Sequence, residues 1–267
     1  MSLETRPASA FRPKYFDPPR HSPASTARID AFWREYPAEV ALALDRLLRQ
    51  EGEPAFSSFG CQEVVFPRLS LVGEGKDPLR VGLFGGFEQE PVETLTRLAT
   101  LPELLRTEYP LLLRALSLRL YPIANPLAFT GSWQSLPGLT LRRRLWKSDD
   151  RADAYYLKRE LGVQGFQVLF LLSANPAEPA SVSSSSRVIT EEVLHPVLER
   201  LSAQEVALVP WREDESLLRG ASPTLKTLPS EIRINYPLPA DPGRNLARLI
   251  GALLREYRAF LSFRENL

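Results

Sequence analysis

The sequence predicts an α/β domain in which a mixed, largely parallel sheet is flanked by helices on both faces. Three observations predict it. Short apolar runs alternate with helically periodic segments along the chain, the order that builds strand–helix–strand units. The stretch VLFLL within FQVLFLLSAN is continuously apolar, which suits a strand covered on both faces. The 267 residues, without an internal repeat, suffice for one large core that buries roughly three quarters of the unfolded surface.

Residues 1–25 read as a Pro-rich N-terminal arm whose Phe11, Tyr15 and Phe16 lie on the domain, and residues 26–267 as that single domain. IDAFWREY and AEVALALDRLLRQEG are helical, with Pro37 in a first turn and Gly52 as the stop. EVVFPRLSLVGEG and LRVGLFGG follow as adjacent strands about the turn GEGKDP. In residues 81–93, VGLFGGFEQEPVE, the second of these strands ends in paired glycines and meets Glu-Pro at the start of an amphipathic segment. A carboxyl strand end of this kind is where open α/β sheets hold ligands.

PVETLTRLATLPELLRTEYPLLLRAL is helical with interruptions at Pro102 and Pro110, and LSLRLYPIAN is a strand. Residues 126–150 form a long irregular connection of the length that usually shapes a site. RADAYYLKREL is a helix, FQVLFLLSAN a buried strand, SVSSSS a flexible loop, and ITEEVLHPVLERL a helix disturbed by Pro196. QEVALVPW and EIRINYPL are further strands, and GRNLARLIGALLREYRAFLSF is an amphipathic closing helix.

The 33 Lys and Arg nearly cancel the 32 Asp and Glu, so bulk charge points to neither a nucleic-acid partner nor an anionic membrane. Cys61 is the only cysteine, which excludes an internal disulfide and a thiolate zinc cage and fits a reducing compartment. The N-terminus has no apolar core of signal-peptide length, and no apolar run is long enough to span a membrane. A soluble, cytoplasmic protein is expected.

The order of the motifs resembles the zinc carboxypeptidase family, and within it the carboxypeptidase-like amidases and the succinylglutamate desuccinylase and aspartoacylase type of deacylase, over roughly residues 50–263. FGCQEVVFPRLSLV is similar to that family's early strand pair. GGFEQEP then stands for its His-x-x-Glu segment, with Phe87 in place of the first zinc-ligand His and Glu90, followed by Pro91, in place of the ligand Glu. YPIANPLAF is similar to Pro-x-x-Asn-Pro-x-Gly-Phe, keeping Asn125, Pro126 and Phe129 but with Ala128 for Gly. In GSWQSLPGLTLRRRLW, Trp133 replaces the Arg that polarises the scissile carbonyl, Thr140 and Arg142 replace Asp and Asn, and Arg143 matches the motif's Arg. Leu172-Ser173 stands for the third ligand's Asp-Leu-His, and Asn235 for the general-base Glu.

The resemblance implies a peptidase-like cleft whose zinc is absent, since a catalytic zinc of this type needs two imidazoles, a carboxylate and an activated water. The only histidines are His21, in the arm, and His195, in a late helix. Asn235 cannot accept a proton near neutral pH. Glu90 is the one retained ligand-type residue, and it either keeps a role or pairs with an arginine.

Other chemistries have plainer readings. Glu192, His195 and Glu199 share a helix face and could bind a metal, but they also read as a solvated face. Cys61 reads as a buried thiol, GEGKD as a turn and not a P-loop, and the Ser run lacks a nucleophile elbow. Arg142, Arg143 and Arg144 form either a solvated face or, near Trp133 and Trp146, a clamp for a carboxylate or phosphate. The resemblance favours Arg143, Asn125 and Arg142 as ligand contacts.

Three functions are consistent with these residues. The first is a non-catalytic protein whose cleft binds a peptide, an amino-acid derivative or a protein partner. The others are a divergent metallo-amidase or carboxypeptidase acting through Glu90, and an assembly protein with a vestigial cleft. A convergence of Phe87, Glu90, Trp133, Arg143, Ser173 and Asn235 on one cleft is the structural expectation.

Overall fold

The computed structural model describes residues 55–59, 62–73, 75, 77–88, 92–129, 136–147, 151–201, 206–221, 225, 228–237 and 244–265, and the backbone alone at 55–59, 62–65, 92–97, 99–100, 244 and 265. The N-terminal arm with His21, the helices expected in 26–52, Cys61, Glu90 and Trp133 lie outside the described residues.

Strands β1 (Ala55–Phe59) and β2 (Gln62–Phe66) pair antiparallel as a separate ladder. The main sheet has seven strands: β3 (Leu69–Val72), β4 (Leu79–Phe84), β5 (Leu116–Tyr121), β6 (Val168–Ser173), β7 (Ser181–Ser184), β8 (Ala207–Leu208) and β9 (Ser230–Asn235). Their order is β3-β5-β4-β6-β9-β7-β8. The central β5-β4-β6-β9 group is parallel, while β3 joins β5 and β7 joins β9 antiparallel. The sheet is therefore mixed and largely parallel, as the apolar runs predict.

Several local readings are corrected. The run EVVFPRLSLV is two strands, divided at Pro67, which has no N–H to continue a ladder. Strands β3 and β4 are not neighbours, because β5 lies between them. The turn joining them straps over the start of β5, where the Gly73 N–H donates to the Leu116 carbonyl at 2.7 Å and the Gly75 N–H to that of Arg114 at 3.1 Å. The stretch SVSSSS is no flexible loop but contains the buried strand β7, and the Ser184 hydroxyl donates to the Glu231 carbonyl at 3.1 Å.

Helix α1 (Val92–Glu108) runs through Pro102 and ends before Tyr109, and α2 (Pro110–Arg114) starts on Pro110, whose missing N–H is harmless there. The connection expected to be irregular carries α3 (Pro126–Phe129) and α4 (Gly138–Arg144). Helix α5 (Ala152–Gln164) is stopped by Gly165. Helix α6 is composite, passing from Arg187–Ile189 through a π-helical Thr190–Leu194 to His195–Arg200; its widened turn directly precedes Pro196. Helix α7 (Arg244–Glu265) is the long closing helix. No helix among the described residues is long and apolar enough to cross a membrane.

Alternation along the strands splits the core in two. Val81, Leu83, Val168, Phe170, Ile232 and Ile234 pack with Leu105 of α1 and with Leu249, Ile250 and Leu253 of α7. Each such buried side chain stabilises the fold by about 1.5–3 kcal/mol. On the opposite face Phe84, Phe87, Tyr121 and Leu169 pack with Leu141 of α4 and Tyr156, Leu157 and Leu161 of α5. The second face holds the cleft.

Candidate functional site

At the carboxyl end of β4 the chain turns through Gly85 and Gly86. Gly86 has φ +62°, and a Cβ there would lie 2.5 Å from the Pro122 carbonyl oxygen, so only glycine fits without strain. The turn is tied to the loop after β5, since the Ala124 and Asn125 N–H groups donate to the carbonyls of Gly85 (2.7 Å) and Gly86 (3.1 Å). Phe87 emerges from it 1% exposed. Asn125 sits behind Phe87 with no exposure, its amide donating to the carbonyls of Phe87 (3.1 Å) and Leu136 (2.9 Å). Its oxygen accepts from the Ala128 N–H at 3.4 Å. Asn125, expected as a ligand contact, thus spends its hydrogen bonds on shaping the wall.

Helix α4 begins on Phe87. A Cβ on Gly138 would lie 2.7 Å from the Phe87 carbonyl oxygen, so the helix start can approach this closely only as glycine. This phase buries Leu141, Arg142 and Leu145 and leaves Arg143 and Arg144 outside. The Arg142 guanidinium carbon lies 4.3 Å from the centroid of the Phe87 ring, a cation held on an aromatic face.

Phe87 and Arg142 line one side of a cleft of about 410 Å³, with Ser173 and the loop after β6 on the other. Glu88, Glu178, Glu215, Arg212 and Arg233 supply its remaining charges. Arg233 bridges Glu215 at 2.5 Å and Glu178 at 3.3 Å, and Arg212 reaches Glu215 at 3.3 Å. Arg143 does not line the cleft; it pairs on the surface with Asp214 at 2.9 Å. That hydrogen bond holds the Asp214 carboxyl below the usual carboxylate range.

Ser173 and Asn235 stand side by side at the ends of β6 and β9. The Asn235 oxygen accepts from the Ser173 hydroxyl and from the Asn175 N–H, both at 3.0 Å. Its amide donates to the carbonyls of Asn175 (3.3 Å), Glu178 (3.2 Å) and Pro179 (3.0 Å). Asn235 is 1% exposed and acts as a clamp on the loop that carries Glu178. Of the residues expected to converge, Phe87 and Ser173 line this cleft together with Arg142, Asn235 is buried beside Ser173 and does not line it, and Arg143 lies off its rim.

One residue escaped the sequence reading. Glu231, on β9, is 2% exposed; its Oε1 accepts the Leu217 N–H at 2.8 Å, and its other oxygen accepts the Ser216 hydroxyl. Burial pushes its pKa up to about 7 against the opposing pull of these hydrogen bonds and of Arg142. The strict alternation of EIRIN was the available signal: it puts Glu231, Arg233 and Asn235 on one face and Ile232 and Ile234 on the other.

The described donors do not fit a catalytic zinc. An apolar ring, a hydroxyl and an amide engaged with the loop occupy Phe87, Ser173 and Asn235, and a guanidinium lies over the ring. Glu192 and Glu199 are exposed on the same helix as His195, and no group of three or more metal-binding side chains occurs among the described residues.

No family model and no curated protein matches the chain. Solved structures do. A metallo-carboxypeptidase from Pseudomonas aeruginosa, in complex with (2-guanidinoethylmercapto)succinic acid, aligns with TM-score 0.56 and 17% identity over 88% of this chain and 70% of that one. A metallo-carboxypeptidase from Burkholderia cenocepacia aligns with TM-score 0.55 and 13% identity over 82% of this chain and 68% of its own. The chain has the metallo-carboxypeptidase fold. Thrombin activatable fibrinolysis inhibitor also aligns, at TM-score 0.51 and 9% identity, over 89% of this chain and 77% of that one. At such identities the likeness establishes the metallo-carboxypeptidase fold and leaves the chemistry to the residues in the cleft.

Proposed function

We propose that the protein is a non-catalytic relative of the metallo-carboxypeptidases that binds a small peptide or amino-acid-like ligand in this cleft, without zinc and without turnover. The observation that carries the reading is Arg142: its guanidinium rests on the Phe87 ring, at the strand end where the resemblance would put a metal ligand. A fixed cation there gives the cleft a positive charge that favours a carboxylate. It cannot lower the pKa of a water as a zinc does. Asn235, engaged with Ser173 and the loop after β6, supports the same reading because no base stands in its place. Arg142 takes the anion-contact role that the sequence favoured for Arg143. The single Cys61 fits a cytoplasmic setting.

The test is calorimetric titration of the full chain with (2-guanidinoethylmercapto)succinic acid, whose carboxylates suit Arg142. Saturable binding, lost by a factor of about 10–100 in Arg142→Gln, is expected, as for removal of a charge-assisted hydrogen-bond donor. Protein purified without a His tag is expected to carry no stoichiometric zinc by elemental analysis. Hydrolysis of peptides or acyl-amino acids that survives repurification and vanishes in Glu90→Ala would overturn the proposal in favour of a divergent hydrolase.

A further inference from the structure

We infer, on the reading of the cleft as the ligand site, that Glu88 is its cation-recognising residue, so that the ligand carries an ammonium or a guanidinium group. The charges that line the cleft are unequally engaged. Arg233 is held between Glu215 and Glu178, and Arg212 reaches Glu215 and, at 3.6 Å, Asp214, so these side chains neutralise one another within the wall. Glu88 lines the same cleft, is exposed, and makes no hydrogen bond or ion pair with a described residue. Among the described lining residues it is the carboxylate left for a ligand.

The position of Glu88 is fixed although its head is exposed. The preceding residue, Phe87, is buried, and its carbonyl accepts the Asn125 amide at 3.1 Å. The Glu88 stem lies over the start of α4, where a Cβ on Gly138 would come within 2.7 Å of Glu88 Cγ. The bare glycine leaves the room that the stem occupies, and the carboxylate is presented from a buried anchor. Preorganisation of this kind reduces the ordering cost of binding. Around it Phe87, Leu139, Ala174 and Pro176 supply the apolar part of the lining. A ligand that fills the cleft takes water from Glu88. A neutral group placed there leaves the carboxylate desolvated without compensation, whereas an ammonium or guanidinium replaces the lost water with charge-assisted hydrogen bonds. The cleft therefore selects by what a neutral ligand forfeits as well as by what a cation gains. The cation belongs either to the main-chain amine of an amino-acid-like ligand or to a basic side chain.

The test is calorimetric titration of the full chain with (2-guanidinoethylmercapto)succinic acid and with (ethylmercapto)succinic acid, which keeps the carboxylates and lacks the guanidinium. The wild type is expected to bind the second probe about fivefold more weakly, the upper range for a solvent-exposed ion pair. Glu88→Gln, whose urea midpoint is expected to match that of the wild type, loses about the same factor toward the first probe and nothing toward the second. Glu88→Lys is expected to prefer the second. Nα-acetyl-L-arginine and L-norleucine separate the sources of the cation: sensitivity to Glu88→Gln with the former assigns a basic side chain, and with the latter a main-chain ammonium. An equal loss toward both succinic acids in Glu88→Gln marks a structural role, and no loss toward either marks the absence of a contact. Either result overturns the cation assignment and leaves the cleft reading standing. No binding of either succinic acid by the wild type overturns both.

Discussion

The two faces of the sheet solve different problems. Under α1 and α7 the contacts are almost wholly aliphatic, with Phe170 and Tyr257 as the buried aromatics of that cluster. Under α4 and α5 lie stacked rings, Phe66 on Tyr156 at 3.9 Å and Phe84 on Tyr121 at 4.5 Å, together with buried Arg68, Arg142, Glu160 and Glu231. Apolar burial is non-directional, so the first face gives stability without defining a chemical position. Buried polar groups must be met by specific partners, so the second face fixes where each charge sits. The cleft opens on that second face, and its arginines inherit their geometry from it.

The sharpest way to break this contrast is Glu160→Ala. Glu160 accepts the Tyr121 hydroxyl at 2.7 Å, Gln164 at 3.1 Å and Arg68 at 3.4 Å; burial, and then the Glu160 charge, keeps the Tyr121 hydroxyl protonated well beyond its usual range. Removing it breaks the buried pair with Arg68 and the Tyr121 hydrogen bond together, so a loss of about 3–5 kcal/mol in urea unfolding is expected. Leu253→Ala, on the aliphatic face, is expected to cost about 2–5 kcal/mol while the folded fraction binds ligand as the wild type does. Altered affinity in Leu253→Ala would erase the division of labour between the faces.

A smaller effect concerns Glu231. Its folded pKa of about 7 lies above the ordinary 4.5, so the stability it contributes is full below pH 4.5 and is lost as pH rises through about 7. Relative to Glu231→Gln, the wild type is expected to lose up to about 3 kcal/mol across that window, read from urea midpoints at each pH. The smallest effect is that of Arg143→Ala, which removes only an exposed pair with Asp214. No measurable change in the unfolding midpoint or in ligand affinity is expected. A loss of binding in this variant would return the anion contact to Arg143.

Much of this molecule was legible because its signals are local. Continuous apolar runs marked β6, paired glycines before Phe87 marked the strand end at the cleft, and alternation in EIRIN marked the faces of β9. The errors arose where a neighbour decides. SVSSSS has the composition of a loop, yet β9 pairs with it and Glu231 accepts its hydroxyl, so its polar side chains are satisfied within a sheet. The adjacency of β3 and β4 failed because β5 enters between them from later in the chain.

The sequence by itself determined the α/β architecture, since hydrophobic period belongs to the residues themselves. Only the tertiary structure decided which of three consecutive arginines enters the cleft, because the start of α4 on Gly138 sets the helical phase that buries Arg142 and exposes Arg143. It also decided that burial pushes the Glu231 carboxyl up to about 7. Desolvation and the pull of Arg142 come from segments distant in the chain, and a pKa is fixed by the surroundings that folding assembles.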